Sequence, residues 1–367
     1  MSHAKTTHSV IASIKPQICC VLLSLLLLIV ATLSACSRQP NILLIEGAAQ
    51  GTRYHITYAP PQNTNGAPIN NTALAAEIEL ELARIDKSIS NYRADSKIEA
   101  FNSAITTDAL EVSEEIVNLI EIAHAINKAS NGCYDLTIKP LFDLWGFKKH
   151  EFSAPDETTL ANTRALVGMD KLETIDKTHL RKKNAHLRID LSSIGQGYSI
   201  GKIAALLEAH QITHYIVEIG GELKTRGKNP NGQPWRLALE KPQSNEQKIE
   251  KIAVINTPEP MSMMPSGTYH HYFDAHGKRY SHIFDARTGK PIIHNSASVT
   301  VFNPDPTLAD AWSTALLCLG SKEGAPIADA HGIAALFIDQ ASDDTFTDQP
   351  TQSLRKLHAI TLKPAHD

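Results

Sequence analysis

The stretch "IDLSSIGQGYSIG", Ile189 to Gly201, has the residue types of a nucleotide-binding loop. An apolar run enters Gly195-Gln196-Gly197, Gly201 follows, and a second apolar run ends at Glu218, 21 positions after Gly197. A dinucleotide fingerprint uses such glycines to bring a helix N-terminus against a pyrophosphate and such an acid to hold a ribose. Other clusters offer different chemistry. Asp310 and Thr314 in "ADAWSTALLCLG" are four apart, so a helix puts both oxygens on one face; alone, such a pair usually makes a local hydrogen bond. "SGTYHHYFDAHGKRYSHIFDARTGKP" holds His270, His271, His276 and His282, with Asp285 close behind. His270 and His271 fall on opposite faces of a strand, His276 falls in a turn, and His282 taken alone reads as a core histidine. "GCYDLTIKPLFDLWGF" sets Asp135 and Thr137 beside an aromatic-lined turn, and Gly220-Gly221 reads as a bulge or tight turn between strands.

The elements that must position these groups argue against the dinucleotide fold. Apolar residues at Leu74, Ile78, Leu82, Ile85 and Ile89 predict a helix from Thr72. Ser113 and Glu115 open another, which Asn131-Gly132 stops, and Asp156 caps a third through Val167. A helix over 198–210 is followed by short strands with no helix between them: "YIVEI", "ELKTRG", "WRLALE", "KIAVIN", "YHHYF", "YSHIF" and "SVTVF". A helix over 308–319 and the strand "IAALFI" complete the pattern. Consecutive strands mean antiparallel hairpins, hence an α+β fold of antiparallel-rich sheets packed with helices. The expected organisation is a signal segment at 1–35, a tether at 36–46 and one domain at 47–365 built of two closely joined subdomains.

Length and composition fit that plan. The 367 residues are 42% hydrophobic and 20% charged, an ordinary globular balance. A formal net charge of −4 and 6% aromatic residues give no footing for nucleic acid. Lys5 and Lys15 precede the apolar run "ICCVLLSLLLLIVATLSA", the layout of an export signal. Leu33-Ser34-Ala35-Cys36 resembles the lipobox of bacterial lipoproteins, which makes Cys36 the expected lipid anchor on the periplasmic side of a membrane. Once the signal is removed and Cys36 lipidated, only Cys133 and Cys318 remain of the five cysteines. At most one disulfide is then possible; two buried, unpaired thiols are the expectation, and a cysteine-rich metal site is excluded.

Taken in order, eight segments change the reading: "GTRYHITY", "SNYRADSKIEAFN", "GCYDLTIKPLFDLWGF", "IDLSSIGQGYSIGK", "EIGGELKTRG", "SGTYHHYF", "YSHIFDARTGKP" and "ADAWSTALLCLG". From Gly51 to Gly320 the chain resembles the FAD:protein FMN transferase family, known as ApbE. The resemblance implies Mg²⁺-dependent cleavage of FAD, transfer of FMN through its phosphate to a threonine of a flavoprotein, and release of AMP. It implies a partner subunit of a membrane electron-transfer complex of the sodium-pumping quinone reductase type. Carried over by position, the metal ligands are Asp310, Thr314 and the carbonyl of Ser193, all hard oxygens of the kind Mg²⁺ prefers. The FAD contacts fall on Gln50, Tyr92, Cys133, Tyr134, Asp135, Asp190, Gln196 and Phe284. His282 becomes the candidate for proton transfer, with Asp285 to orient it or act as base. Three positions depart from the family pattern: Gln196 where many members carry Lys, Ala286 where Pro is usual, and Gly201 where an aspartate is usual. Hydrolysis of FAD to FMN and AMP, and non-catalytic flavin binding, are the alternatives that the same residues allow.

Overall fold

The computed structural model describes residues 42–61, 69–147, 152–242, 249–269, 272–275, 278–341 and 345–365. The signal segment, Cys36, His270, His271 and His276 lie outside the described residues. In chain order the elements are β1 (Leu43–Ala49), β2 (Thr52–Ala59), α1 (Asn71–Ile89), α2 (Lys97–Ser103), β3 (Ala109–Glu111), α3 (Glu114–Ala129), a 3₁₀ turn (Leu136–Ile138), α4 (Lys139–Leu144) and α5 (Glu157–Arg164). Then come β4 (Leu172–Asp176), β5 (His179–Lys182), α6 (Gly195–Ala209), β6 (His214–Ile219), β7 (Glu222–Arg226), β8 (Trp235–Glu240), β9 (Ile249–Ile255), β10 (Met261–Gly267), β11 (Tyr272–Ala275), β12 (Lys278–Ser281), β13 (Phe284–Asp285) and β14 (Lys290–Pro291). The chain ends with β15 (Ser296–Asn303), α7 (Pro306–Ala330), β16 (Ala334–Gln340), β17 (Phe346–Pro350), α8 (Gln352–Lys356) and β18 (Ile360–Pro364).

Eight strands form the main sheet, in the order β1-β2-β6-β7-β10-β15-β16-β17. Every neighbouring pair is antiparallel, as the run of strands without crossover helices predicts. Successive side chains of a strand point to opposite faces, and both faces of this sheet are covered. Val299, Val301 and Phe337 join α1, α3, α6 and α7 in the largest core. Phe302, Leu336 and Ile338 meet residues of the small sheet β18-β9-β8 in a second. Burial on both faces explains why "IAALFI" is apolar throughout and not alternating. A third, aromatic cluster gathers Leu141, Trp145 and Phe284.

The helix signals act where the sequence puts them. Asn70 caps α1, Ser113 caps α3 and Asp156 caps α5 through side-chain oxygens. Asn131 and Gly132 end α3 with φ of 53° and 83°. Three differences stand out. β1 takes up the last residues of the stretch read as a tether, paired along its length with β2. β10 is a strand the sequence hides, because Pro265 has no N–H to give a ladder. Its pairing with β7 covers only Met261–Met263, so Pro265 lies past the end of that neighbour. Finally, α7 runs beyond residue 319, its backbone breaking at Gly320 (φ 71°, ψ 170°) before continuing to Ala330.

Candidate functional site

The glycine loop proves to be the first turn of a helix. α6 begins at Gly195, three residues before the predicted start, and Gly197 lies against α7. A Cβ at Gly197 would come 2.3 Å from the Pro306 carbonyl oxygen and 2.6 Å from Asp310 Cβ, and one at Gly201 would sit 3.3 Å from Pro306 Cγ. These glycines therefore let two helices touch; their requirement is set by protein packing, not by a nucleotide. The result is chemical as well as steric: the Gly197 N–H donates to Asp310 Oδ2 at 2.8 Å. An anion at a helix N-terminus gains from the free N–H groups and the helix dipole, so α6 holds the Asp310 carboxylate in place. Asp310 is only 2% exposed. Burial raises its pKa despite the Gly197 hydrogen bond.

The segment before α6 is fastened by two asparagines that sequence inspection passed over. Asn91 Oδ1 accepts from Leu191 N–H at 2.6 Å, and Asn102 Oδ1 accepts from Ile189 N–H at 2.7 Å. Both amide nitrogens donate to the Ile189 carbonyl at 2.8 Å and, with their second hydrogen, to Glu99 Oε1. Lys139 Nζ approaches the same carboxylate at 3.4 Å. Burial works to raise the Glu99 pKa, but the two amides and the ammonium outweigh it and hold the group below its ordinary 4.5. The oxygen and both N–H donors of each amide are thus used, and the backbone either side of Asp190 is clamped. The segment "SNYRADSKIEAFN" carries this clamp, but its partners lie nearly a hundred residues away.

The other two predicted ligands lie on segments that adjoin Asp310: Thr314 on the same helix and Ser193 just before the turn whose Gly197 N–H bonds the Asp310 carboxylate. Thr314 follows one helical turn later on α7, half-buried, with its hydroxyl 3.4 Å from Ser266 Oγ on β10. The Tyr134 hydroxyl donates to the Ser193 carbonyl at 3.5 Å and accepts from Ser193 Oγ at 3.2 Å. Burial raises the Tyr134 pKa, and Asp310, Asp135 and Asp190 add to the rise, which puts all four groups in one electrostatic neighbourhood. Two hairpin turns form the rim. Gln50-Gly51 joins β1 to β2 and Gly220-Gly221 joins β6 to β7; all four residues have positive φ, the two-residue turn that glycine favours. The Gly220 N–H donates to the Arg53 carbonyl, so the turns lie side by side. Gln50 Nε2 donates to Ser199 Oγ on α6 at 2.5 Å, while Gln50 Oε1 is buried without a partner. Gln196 Nε2 lies against Gly220, where a Cβ would approach it to 2.5 Å. The Glu218 carboxylate is engaged within the protein: it bonds His55 Nδ1 across the β2–β6 pair and accepts from the Gly221 N–H.

Other predicted residues are engaged elsewhere. Asp135 caps the 3₁₀ turn; its oxygens accept from the N–H and hydroxyl of Thr137, from the Met169 N–H and from Asn127. Phe284 is 4% exposed with its ring among Phe142, Trp145 and Phe147, so a ligand would meet its backbone and not its ring. The Asp285 carboxylate is taken up by Arg287, at 2.9 Å from both Nε and Nη2. Asp190 Oδ1 accepts from the N–H and hydroxyl of Ser192. Tyr92 is 82% exposed and offers a free ring face on the turn after α1. His282 is half-buried between β12 and β13.

The expectation of unpaired thiols is overturned: Cys133 and Cys318 form a disulfide. It ties the segment leading to Tyr134 onto α7, two turns beyond Asp310. Asp285 lies close enough to both sulfurs to make a metal-like cluster, but sulfurs bonded to each other are not thiolate ligands.

Comparison with known proteins agrees with this geometry. The ApbE family model matches residues 50–337. A Haemophilus influenzae protein named FAD:protein FMN transferase is 33% identical over 334 residues, covering 89% of this chain and 94% of its own length. One of the same name from Escherichia coli is 32% identical over 308 residues, covering 83% and 86%. Among solved structures, the flavin transferase ApbE from Vibrio cholerae superposes with a TM-score of 0.75 at 32% identity, over 86% of this chain and 98% of that one. The Pseudomonas stutzeri flavinyl transferase ApbE, in its apo form, gives 0.76 at 32%, over 87% and 97%. With the family model spanning most of the chain and relatives matched nearly end to end, this protein belongs to the ApbE family.

Proposed function

We propose that this protein is an FAD:protein FMN transferase that uses Mg²⁺, moves FMN from FAD to a threonine hydroxyl of a partner flavoprotein, and releases AMP. The names carried by its relatives support the reaction. The observation that carries the site is the buried Asp310 carboxylate, held by the Gly197 N–H one turn before Thr314. The donor set fits a hard divalent ion: the Asp310 carboxylate, the Thr314 hydroxyl and the Ser193 carbonyl are all oxygens. Buried acceptors without a partner among the described residues, Gln50 Oε1 on the rim among them, support a neighbourhood completed by something electropositive. Bound there, the ion would neutralise charge on the phosphate oxygens as the pyrophosphate is cut.

The residues of the chain supply the rest. In the transfer, the threonine oxygen of the partner bonds to the FMN phosphorus. The bond from that phosphorus to the bridging oxygen breaks, AMP leaves with that oxygen, and the hydroxyl proton passes to a base. His282 is the titratable group for that proton; Asp285, locked to Arg287, serves to hold the turn after β13. Tyr134 orients the Ser193 carbonyl, the asparagine clamp fixes the loop, and Gln50 and Gln196 present amides from the rim to polar groups of FAD. Tyr92 offers a stacking face for an aromatic ring. The partner is a flavoprotein subunit of a membrane electron-transfer complex of the sodium-pumping quinone reductase type. The chain works on the periplasmic side, lipid-anchored at Cys36; the disulfide supports an oxidising compartment.

The test is incubation of the protein with FAD, Mg²⁺ and an acceptor subunit, followed by in-gel flavin fluorescence and AMP measurement. A fluorescent acceptor band that needs both Mg²⁺ and Asp310 is expected. AMP release at the same rate without acceptor, and no band, would make the protein a hydrolase of FAD. Mass spectrometry of the mature N-terminus checks lipidation at Cys36.

A further inference from the structure

Glu222 opens β7 directly after the Gly220-Gly221 turn, and the roles above leave it without a task. Its neighbour Leu223 packs into the core shared with the small sheet, so strand alternation turns Glu222 to the opposite face, where α6 and α7 lie. It is 8% exposed, and its Oε2 is one of three buried side-chain polar atoms without a partner among the described residues. The others are Gln50 Oε1 on the adjoining turn and Tyr54 OH. Burial and then the negative charge of Asp310 act on the Glu222 carboxyl. Glu222 pairs across β6–β7 with Ile219, which packs into the core of α6 and α7, so its carboxyl is directed from the sheet toward the helix layer that carries Asp310. Burying an acceptor with no donor costs about 1–3 kcal/mol, and a like charge beside it adds to the cost. A fold that only needed to pack would place an apolar side chain here.

We infer that Glu222 is the second carboxylate of the cation pocket built around Asp310, a protein group beyond Asp310, Thr314 and Ser193. This rests on the Mg²⁺ reading above. A divalent ion resolves both anomalies together: it gives the orphaned oxygen an electropositive partner, directly or through a water the ion carries, and it offsets the repulsion between the two acids. The Gly-Gly turn then has a purpose besides reversing the chain, since Gly220 lies against Gln196 at the start of α6 and Glu222 follows two residues later.

Mn²⁺ alone, titrated into the full-length protein and followed by the electron paramagnetic resonance of the free ion, tests this without turnover. Glu222→Gln is expected to weaken Mn²⁺ binding by about tenfold or more, as loss of a supporting ligand does. Without metal the variant should melt at or above the wild-type temperature, because an unpaired acid has been removed from beside Asp310. Glu222→Asp, which keeps the charge, should recover part of the affinity. Unchanged Mn²⁺ affinity in Glu222→Gln, with binding lost in Asp310→Asn, overturns the inference and leaves the Mg²⁺ reading intact. Unchanged affinity in Asp310→Asn overturns both. A Glu222→Gln protein that melts several degrees lower without metal, and is not rescued by Glu222→Asp, shows a packing role and also overturns it.

Discussion

Replacing both Cys133 and Cys318 by alanine removes a crosslink between residues 185 positions apart in sequence. In the chain-entropy account a disulfide destabilises the unfolded state by closing a loop, and a loop of that length corresponds to about 5 kcal/mol at 25 °C. Measured losses usually fall below such figures, so ~2–4 kcal/mol is the expected cost. Urea unfolding followed by the fluorescence of Trp145, Trp235 and Trp312 measures it. The wild type is compared unreduced and after reduction in the unfolded state, alongside the double variant, which contains no bond to reduce. Both sulfurs are buried, so the native protein should resist reductant until it opens. Reduced wild type and double variant should then agree, both displaced to lower urea. The bond also holds the segment preceding Tyr134 against the helix of Asp310, so the KM for FAD should rise more than kcat falls. A double variant within about 0.5 kcal/mol of wild type, the range of an ordinary surface substitution, would refute the claim that this crosslink stabilises the fold. A fall in kcat with no change in KM would refute its part in positioning the FAD segment.

The other expectations are shorter. Gly197→Ala puts a Cβ into the Pro306 carbonyl and should cost about 3 kcal/mol or more, with loss of Mn²⁺ binding as α6 and α7 separate; thermal melts and the metal titration check it. Asn102→Ala strips the Ile189 N–H of its acceptor in a buried setting and should cost ~2–4 kcal/mol by urea unfolding, while Asn102→Asp should do no better, since an acid would face Glu99. Because the folded-state pKa of Glu99 lies below 4.5, its contribution is fully present above that pH and is lost as pH falls through the lowered value. Glu99→Gln should therefore flatten the acid limb of the stability curve below pH 4.5, measured by melting temperature against pH.

What could be read from the sequence follows from how local each cause is. The caps Asn70, Ser113 and Asp156 act within one turn of themselves, so α1, α3 and α5 begin where their residues say. Asp310 and Thr314 share a helical face by spacing alone, and both do lie on α7. Asn91 and Asn102 could not be found this way, because what they bind is backbone at Ile189 and Leu191, which has no side-chain signature. The Cys133–Cys318 bond was invisible for the same reason: the two residues meet only after α3 and α7 have packed. Gly197 shows the deeper difficulty. A glycine is required wherever a backbone must approach something closely, and the residue does not say what approaches. The dinucleotide pattern supplies a pyrophosphate as the answer, whereas here the Pro306 carbonyl and Asp310 occupy that side. The helix N-terminus is in both cases set against an anion; in this fold the first anion it meets is a side chain of its own chain. That substitution turns a nucleotide-binding loop into a holder for a carboxylate, the group on which the proposed cation site rests.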